Sequence, residues 1–125
     1  MTAAAFRRIA LGLKGVVEGA HMGHPDFRVH GRIFATLHAD MKTGMVKLSP
    51  DEQQEFVRRS PEAFSPAAGA WGRGGSTLVA LGAVDDETLG EAMTRAWQAH
   101  AAAPAPAKRP PKNLVGRTRR GQRRP

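Results

Sequence analysis

Apolar residues return at helical spacing near the amino end. Phe6, Ile9, Ala10, Leu13 and Val17 recur at i, i+3, i+4, i+7 and i+11, with Arg7, Arg8 and Lys14 off that face. This spacing predicts one helix, weakened by Gly12 and ended by Gly15. From residue 21 the period changes to two. Phe27, Val29, Ile33, Ala35 and Leu37 hold odd positions; Arg28, His30, Arg32, Phe34, Thr36 and His38 hold even ones. Such alternation predicts strand, and Gly31 predicts a hairpin turn. Two loop lengths fit. A three-residue loop, His30 to Arg32, keeps the odd residues together, whereas a two-residue loop, His30-Gly31, puts Phe34 with Phe27. Asp40 to Gly44 reads as a second turn and Met45 to Leu48 as a third strand.

Ser49-Pro50-Asp51-Glu52 is a helix start. Ser49 can cap, Pro50 suits the first helical position, Glu52 closes a capping box and Asp51 complements the helix dipole. Phe56 and Val57 face inward, and Pro61 stops this helix. Thr77 to Leu81 is a short β-branched strand. Asp85-Asp86-Glu87 opens a last helix whose apolar stripe is Leu89, Ala92, Met93, Ala96, Trp97 and His100, until Pro104 ends it. The order helix, strands, helix, strand, helix predicts an α+β domain with helices packed on an antiparallel sheet.

Charge narrows this picture. The formal net charge of +8 resides in the last eighteen residues: Lys108 to Pro125 hold eight Lys or Arg and no acid, while the rest is balanced at eleven basic and eleven acidic residues. Residues 104–125 lack periodicity and are rich in proline. We therefore expect a domain over residues 1–103 and a disordered, Pro-rich basic tail over 104–125. A core of about 100 residues needs no metal or disulfide staple, and with no cysteine there is no thiolate chemistry. Met1 to Val17 is cationic like a targeting peptide, but its apolar runs are too short for a secretory or membrane segment. A cytoplasmic protein without a membrane partner is expected.

Candidate chemistry is sparse. His21-Met22-Gly23-His24 with Asp26, His30 and His38 is the most metal-like constellation, yet no HExxH or CxxC accompanies it, and ordinary turn and edge histidines explain it better. Gly72-Arg73-Gly74-Gly75 could cradle phosphate, but it leads into a strand rather than a helix, so a flexible turn is the better reading. No serine lies in GxSxG, and the helix starts absorb the acids at 51, 52 and 85 to 87. No catalytic, cofactor or metal residue is therefore assigned. The even stripe is more productive. With the three-residue loop, one sheet face offers Arg28, His30, Arg32, Phe34, Thr36 and His38, which could touch phosphates and stack on a base. Lys42 and Lys47 would extend it, Arg73 would add a contact, and Trp71 is expected to anchor the core. In the tail, the segment from Gly116 to Pro125 resembles arginine-glycine segments and, loosely, an AT-hook.

The run Gly23 to Leu37, the block Met45 to Pro50, and Phe64 to Leu81 with Trp71-Gly72 and Gly74-Gly75 together resemble the MmcQ/YjbR family. Ala96-Trp97 lies where that family's last helix carries an aromatic. The resemblance covers roughly Ala4 to Ala101. It implies a compact α+β fold related to secretion-chaperone-like and CyaY-like domains, of a type often described as double-wing DNA-binding.

The expectation is thus a small, monomeric, non-enzymatic DNA-binding protein, with RNA as an alternative ligand and no cofactor. Arg28, Arg32, Phe34, Lys42, Lys47 and Arg73 would contact nucleic acid from the domain. Lys108, Arg109, Lys112, Arg117, Arg119, Arg120, Arg123 and Arg124 would add affinity without sequence preference. The alternative is a protein-interaction or chaperone-like module whose tail is a tether or solubiliser.

Overall fold

A computed structural model describes residues 1–21 and 23–102. Helix α1 (Ala3–Leu11) leads into strands β1 (Val17–His21), β2 (His24–Val29), β3 (Arg32–Leu37) and β4 (Thr43–Lys47). Helix α2 (Pro50–Arg59), strand β5 (Phe64–Pro66), the short helix α3 (Gly69–Arg73), strand β6 (Ser76–Ala80) and helix α4 (Asp86–Ala101) follow. The six strands form one antiparallel sheet in the order β1-β2-β3-β4-β6-β5. This is the α+β architecture expected from the element order.

Local chemistry sets the helix ends. Ser49 Oγ accepts from Glu52 N at 3.2 Å, while Glu52 Oε1 accepts from Ser49 N at 3.1 Å, the reciprocal capping box. Asp85 Oδ1 accepts from Thr88 N at 2.6 Å and caps α4. That hydrogen bond holds the Asp85 carboxyl below its ordinary pKa. The start of the chain departs from the sequence pattern. Helix α1 stops at Leu11 with Gly12 as its cap, and Val17 is not on its face. Val17 opens β1 opposite Arg28 and is exposed. Its helical phase with Leu13 is a coincidence across Gly15, whose φ of +78° breaks the run.

The first hairpin resolves the loop ambiguity. Val29 pairs with Arg32, so only His30 and Gly31 form the turn, with φ of 53° and 76°. Two left-handed central residues are the mark of a type I′ turn, whose twist suits a hairpin. The pairing then steps from Arg28↔Ile33 to Phe27↔Ala35, leaving Phe34 as the extra residue of a β-bulge. Phe34 and Ala35 both point inward and are fully buried.

Helix α4 packs on β2, β3 and β4, α1 on α4, and α2 on β5. Between them and the sheet lies the core of Phe6, Phe27, Phe34, Leu37, Val46, Phe56, Phe64, Val79, Leu89 and Met93. Aromatic pairs tie its ends together: Phe6 to Phe27 at 6.0 Å and Phe56 to Phe64 at 5.4 Å between ring centroids. The opposite face of the sheet is covered less. Ile33, Thr36, Met45, Lys47 and Leu78 are each only partly buried there. Among the described residues no helix is long and apolar enough to cross a membrane.

Candidate nucleic-acid interface

The strand register decides which side chains share the open face. Arg28 lies opposite Ile33, Thr36 opposite Met45, Met45 opposite Leu78, and Lys47 opposite Ser76. The even stripe of the sequence is therefore broken. The two-residue turn shifts the parity once and the bulge at Phe34 shifts it again. Phe34 is a correction: fully buried in the core, it has no surface on which a base could stack. His30 stands exposed in the turn.

Arg28 is fixed by a buried acid. Its Nε donates to Asp26 Oδ1 at 2.8 Å and its Nη2 to Asp26 Oδ2 at 3.1 Å, a bidentate fork. The Asp26 side chain is 1% exposed and that of Arg28 41%. The hydrogen bond and charge of Asp26 raise the Arg28 pKa further. The fork satisfies the carboxylate and leaves Arg28 with donors for solvent or ligand, though Asp26 offsets its charge.

At the same end of the sheet, a groove of about 790 Å³ runs over Ile33, Thr36, Met45, Lys47 and Ser76 to Trp71. Arg32 and His100 close its end. Trp71 is the largest departure from the sequence reading. Expected as a core anchor, it is 71% exposed. Lys47 Nζ lies 5.7 Å from the centre of its ring, a cation–π pair. The cause lies in the glycines around it. A Cβ on Gly72 would sit 1.8 Å from the Ala67 carbonyl oxygen, and one on Gly75 would sit 1.9 Å from that of Leu48. Gly75 also has a φ of +112°. So Gly72 to Gly75 is no loose turn. It holds α3 hard against the end of the sheet, with no room beneath for the indole. Buried Gln53 fastens the helix from the other side, its Nε2 donating to Gly72 O at 2.9 Å and Ser76 O at 3.0 Å. A tryptophan set among Gly69, Gly72, Gly74 and Gly75 was the available signal, because glycine neighbours supply no side chains to cover it.

The structure thus brings Arg32, Lys47 and Trp71 to one groove, with Arg28 beside Ile33 and exposed Arg73 two residues beyond Trp71. It leaves Lys42 apart. Lys42 sits in the turn before β4, whose Asp40 Oδ1 accepts from the Lys42 and Thr43 backbone N–H groups at 2.9 and 3.1 Å. The length of β4, roughly 16 Å, separates Lys42 from Lys47. The eight cations of the tail lie outside the described residues.

Charge is segregated even though the domain is balanced. Asp51, Glu52 and Glu55 lie on α2, and Asp85, Asp86, Glu87 and Glu91 cap or occupy α4. Arg59 and Arg95 meet them there: Arg59–Glu91 at 3.0 Å, Arg95–Glu91 at 3.4 Å and Arg95–Glu55 at 3.5 Å. These pairs tie Arg59 and Arg95 to the acids of α2 and α4, and on the sheet face Asp26 is the acid that Arg28 meets.

The histidines divide. His24 and His38 meet edge to face at 6.4 Å, and with Asp26, Ile33, Thr36 and Leu37 they line a cavity of about 320 Å³. His24 Nδ1 is buried with no hydrogen-bond partner. His30 is at the other end of β2. Among the described residues, no group of three or more His, Cys, Asp or Glu is placed to hold a metal ion.

The YjbR family model matches residues 11–99 of this chain. No curated protein matches it. Among solved structures, the chain is similar to a Deinococcus radiodurans protein with a DUF419 domain. The TM-score is 0.66 at 21% identity, over 77% of this chain and 75% of that one.

Proposed function

From the premise that the chain belongs to the YjbR family, we propose that it is a non-enzymatic DNA-binding protein that holds DNA on the open face of its sheet. One observation carries this reading: an exposed tryptophan paired with Lys47 at the edge of a groove. Lys47, Arg73, Arg28 and Arg32 supply phosphate contacts, and the tail adds polyanion affinity that carries no sequence information. The half-buried Ile33, Met45 and Leu78 also suit a protein strand. That second reading differs in predicting binding that is nearly insensitive to salt.

Fluorescence anisotropy of labelled DNA at several salt concentrations tests the proposal, comparing the full chain, its Lys47→Ala/Arg73→Ala variant and a chain ending at Ala102. Removing two phosphate contacts should flatten the dependence of log K on log salt by about 1.4 for single-stranded DNA. The shortened chain should still bind at low salt. If it does not bind, or the double variant matches the parent, only the tail binds DNA.

A further inference from the structure

Resting on that DNA-binding reading, we infer that the face takes single-stranded rather than duplex DNA, with one base stacked on Trp71. A duplex meets any open surface with phosphates outward and shows its bases only as edges within the grooves. The middle of this face is made of Ile33, Thr36, Met45 and Leu78, bordered by the exposed indole of Trp71. A duplex laid across it would press phosphates onto apolar side chains and strip their water with no hydrogen bond in return. A single strand reverses the arrangement. Its bases lie on the apolar middle and the indole, and its phosphates turn to Lys47 in the groove and to Arg28 beside Ile33.

The indole is preorganised for this. The two Gln53 hydrogen bonds and the close glycine contacts fix α3, so stacking a base costs little ordering of the protein. Lys47 Nζ lies over one face of the ring at 5.7 Å from its centre, so a base stacked there moves this cation aside, where it can meet the nucleotide's phosphate. The groove volume of about 790 Å³ falls within the range of sites that enclose organic groups of nucleotide size. The middle of the groove offers a 2′-hydroxyl few partners, Thr36 and the buried Ser76, so deoxyribose is the expected sugar.

The test uses the full chain carrying Trp97→Phe, which leaves Trp71 as the sole tryptophan. It is titrated with an oligothymidylate, a duplex of equal length and the corresponding oligouridylate. The tail's cations attract all three, so the discriminating readouts are Trp71 emission and the effect of Trp71→Ala. Emission should be quenched by the single-stranded DNA and little changed by the duplex. Trp71→Ala should weaken single-strand binding roughly 5- to 150-fold, the range for one lost stack, and leave duplex binding within about twofold. Trp71→Phe should recover part of the loss. Because Trp71 is exposed, Trp71→Ala should unfold at the parent's urea midpoint, which guards against a folding artefact. Unmoved emission with the oligothymidylate, or an equal loss on the duplex, overturns the inference while DNA binding stands. Tighter binding of the oligouridylate overturns the choice of sugar. If Lys47→Ala/Arg73→Ala also leaves all three affinities unchanged, the DNA-binding reading itself falls.

Discussion

Gln53→Ala isolates what keeps Trp71 at the surface. The Gln53 side chain is buried on α2 and its amide donates to two carbonyls, Gly72 O and Ser76 O, at the two ends of the α3–β6 connection. Neither carbonyl would be orphaned by the substitution. Gly72 O also accepts from Gly75 N at 3.1 Å, and Ser76 O from Ala67 N at 2.9 Å. The cost is therefore that of two hydrogen bonds, about 1 kcal/mol each, rather than the larger penalty of buried unpaired acceptors. A loss of about 2 kcal/mol lowers the melting temperature of a domain this size by roughly 8–16 °C. Circular dichroism melts measure it, with urea titrations to check that the m-value is unchanged. Gln53→Glu should be worse than alanine at neutral pH, because an anion would then face two carbonyl oxygens. With α3 released, Gln53→Ala should also weaken single-strand binding at temperatures where the chain stays folded. A melting shift below about 3 °C, or full stability with glutamate, would refute the claim that this amide fastens α3.

Three further outcomes are expected. Phe34→Ala should cost about 3–5 kcal/mol, as for other buried phenylalanines; lost DNA affinity at unchanged urea midpoint would instead put Phe34 on the binding face. Gly75→Ala, which drives a methyl to 1.9 Å from the Leu48 carbonyl oxygen at a φ of +112°, should abolish cooperative melting or lower its midpoint more than Gln53→Ala does; a parent-like melt would mean that this turn is slack. Stability should also depend on acid. Asp40, Asp85 and Glu91 have folded pKa values lowered by backbone N–H groups at the first two and by Arg59 at the third. Depressed folded values add stability that is present above the unfolded carboxylate range, near pH 4, and is lost as pH falls through the folded values. The melting temperature should be flat from pH 7 to about 5 and decline below about 4; a rise on acidification would contradict the assignment.

Helices α2 and α4 were legible because their starts are local. Ser49 with Glu52, and Asp85 with Thr88, each solve the orphan N–H problem within four residues. The strands were legible only in part. Alternation from Phe27 to Leu37 announced a hairpin but left its loop open, since both readings satisfy period two. Pairing of Val29 with Arg32 and burial of Phe34 in the same core as Phe27 decide it. Strand β1 was missed because Glu18, Gly19 and Ala20 carry no apolar alternation and Val17 sits in phase with α1. Strand β5 is three residues ending in Pro66, too short for any period.

The site divides in the same way. Arg28, Lys47 and Arg73 were visible as cations, because charge is a property of the residue. The groove was not visible, because it depends on register across three strands, β3, β4 and β6. The exposure of Trp71 was not visible either, because it follows from carbonyls at Ala67 and Leu48 that the sequence does not place beside Gly72 and Gly75.

Photo-cross-linking locates the strand. The full chain is irradiated with a single-stranded oligonucleotide carrying bromodeoxyuridine, and the adducts are mapped by mass spectrometry. Adducts at Trp71, with Met45 the next site, are expected if the open face binds DNA. Adducts confined to residues 104–125 would mean that the tail alone holds DNA and that the sheet face has another partner.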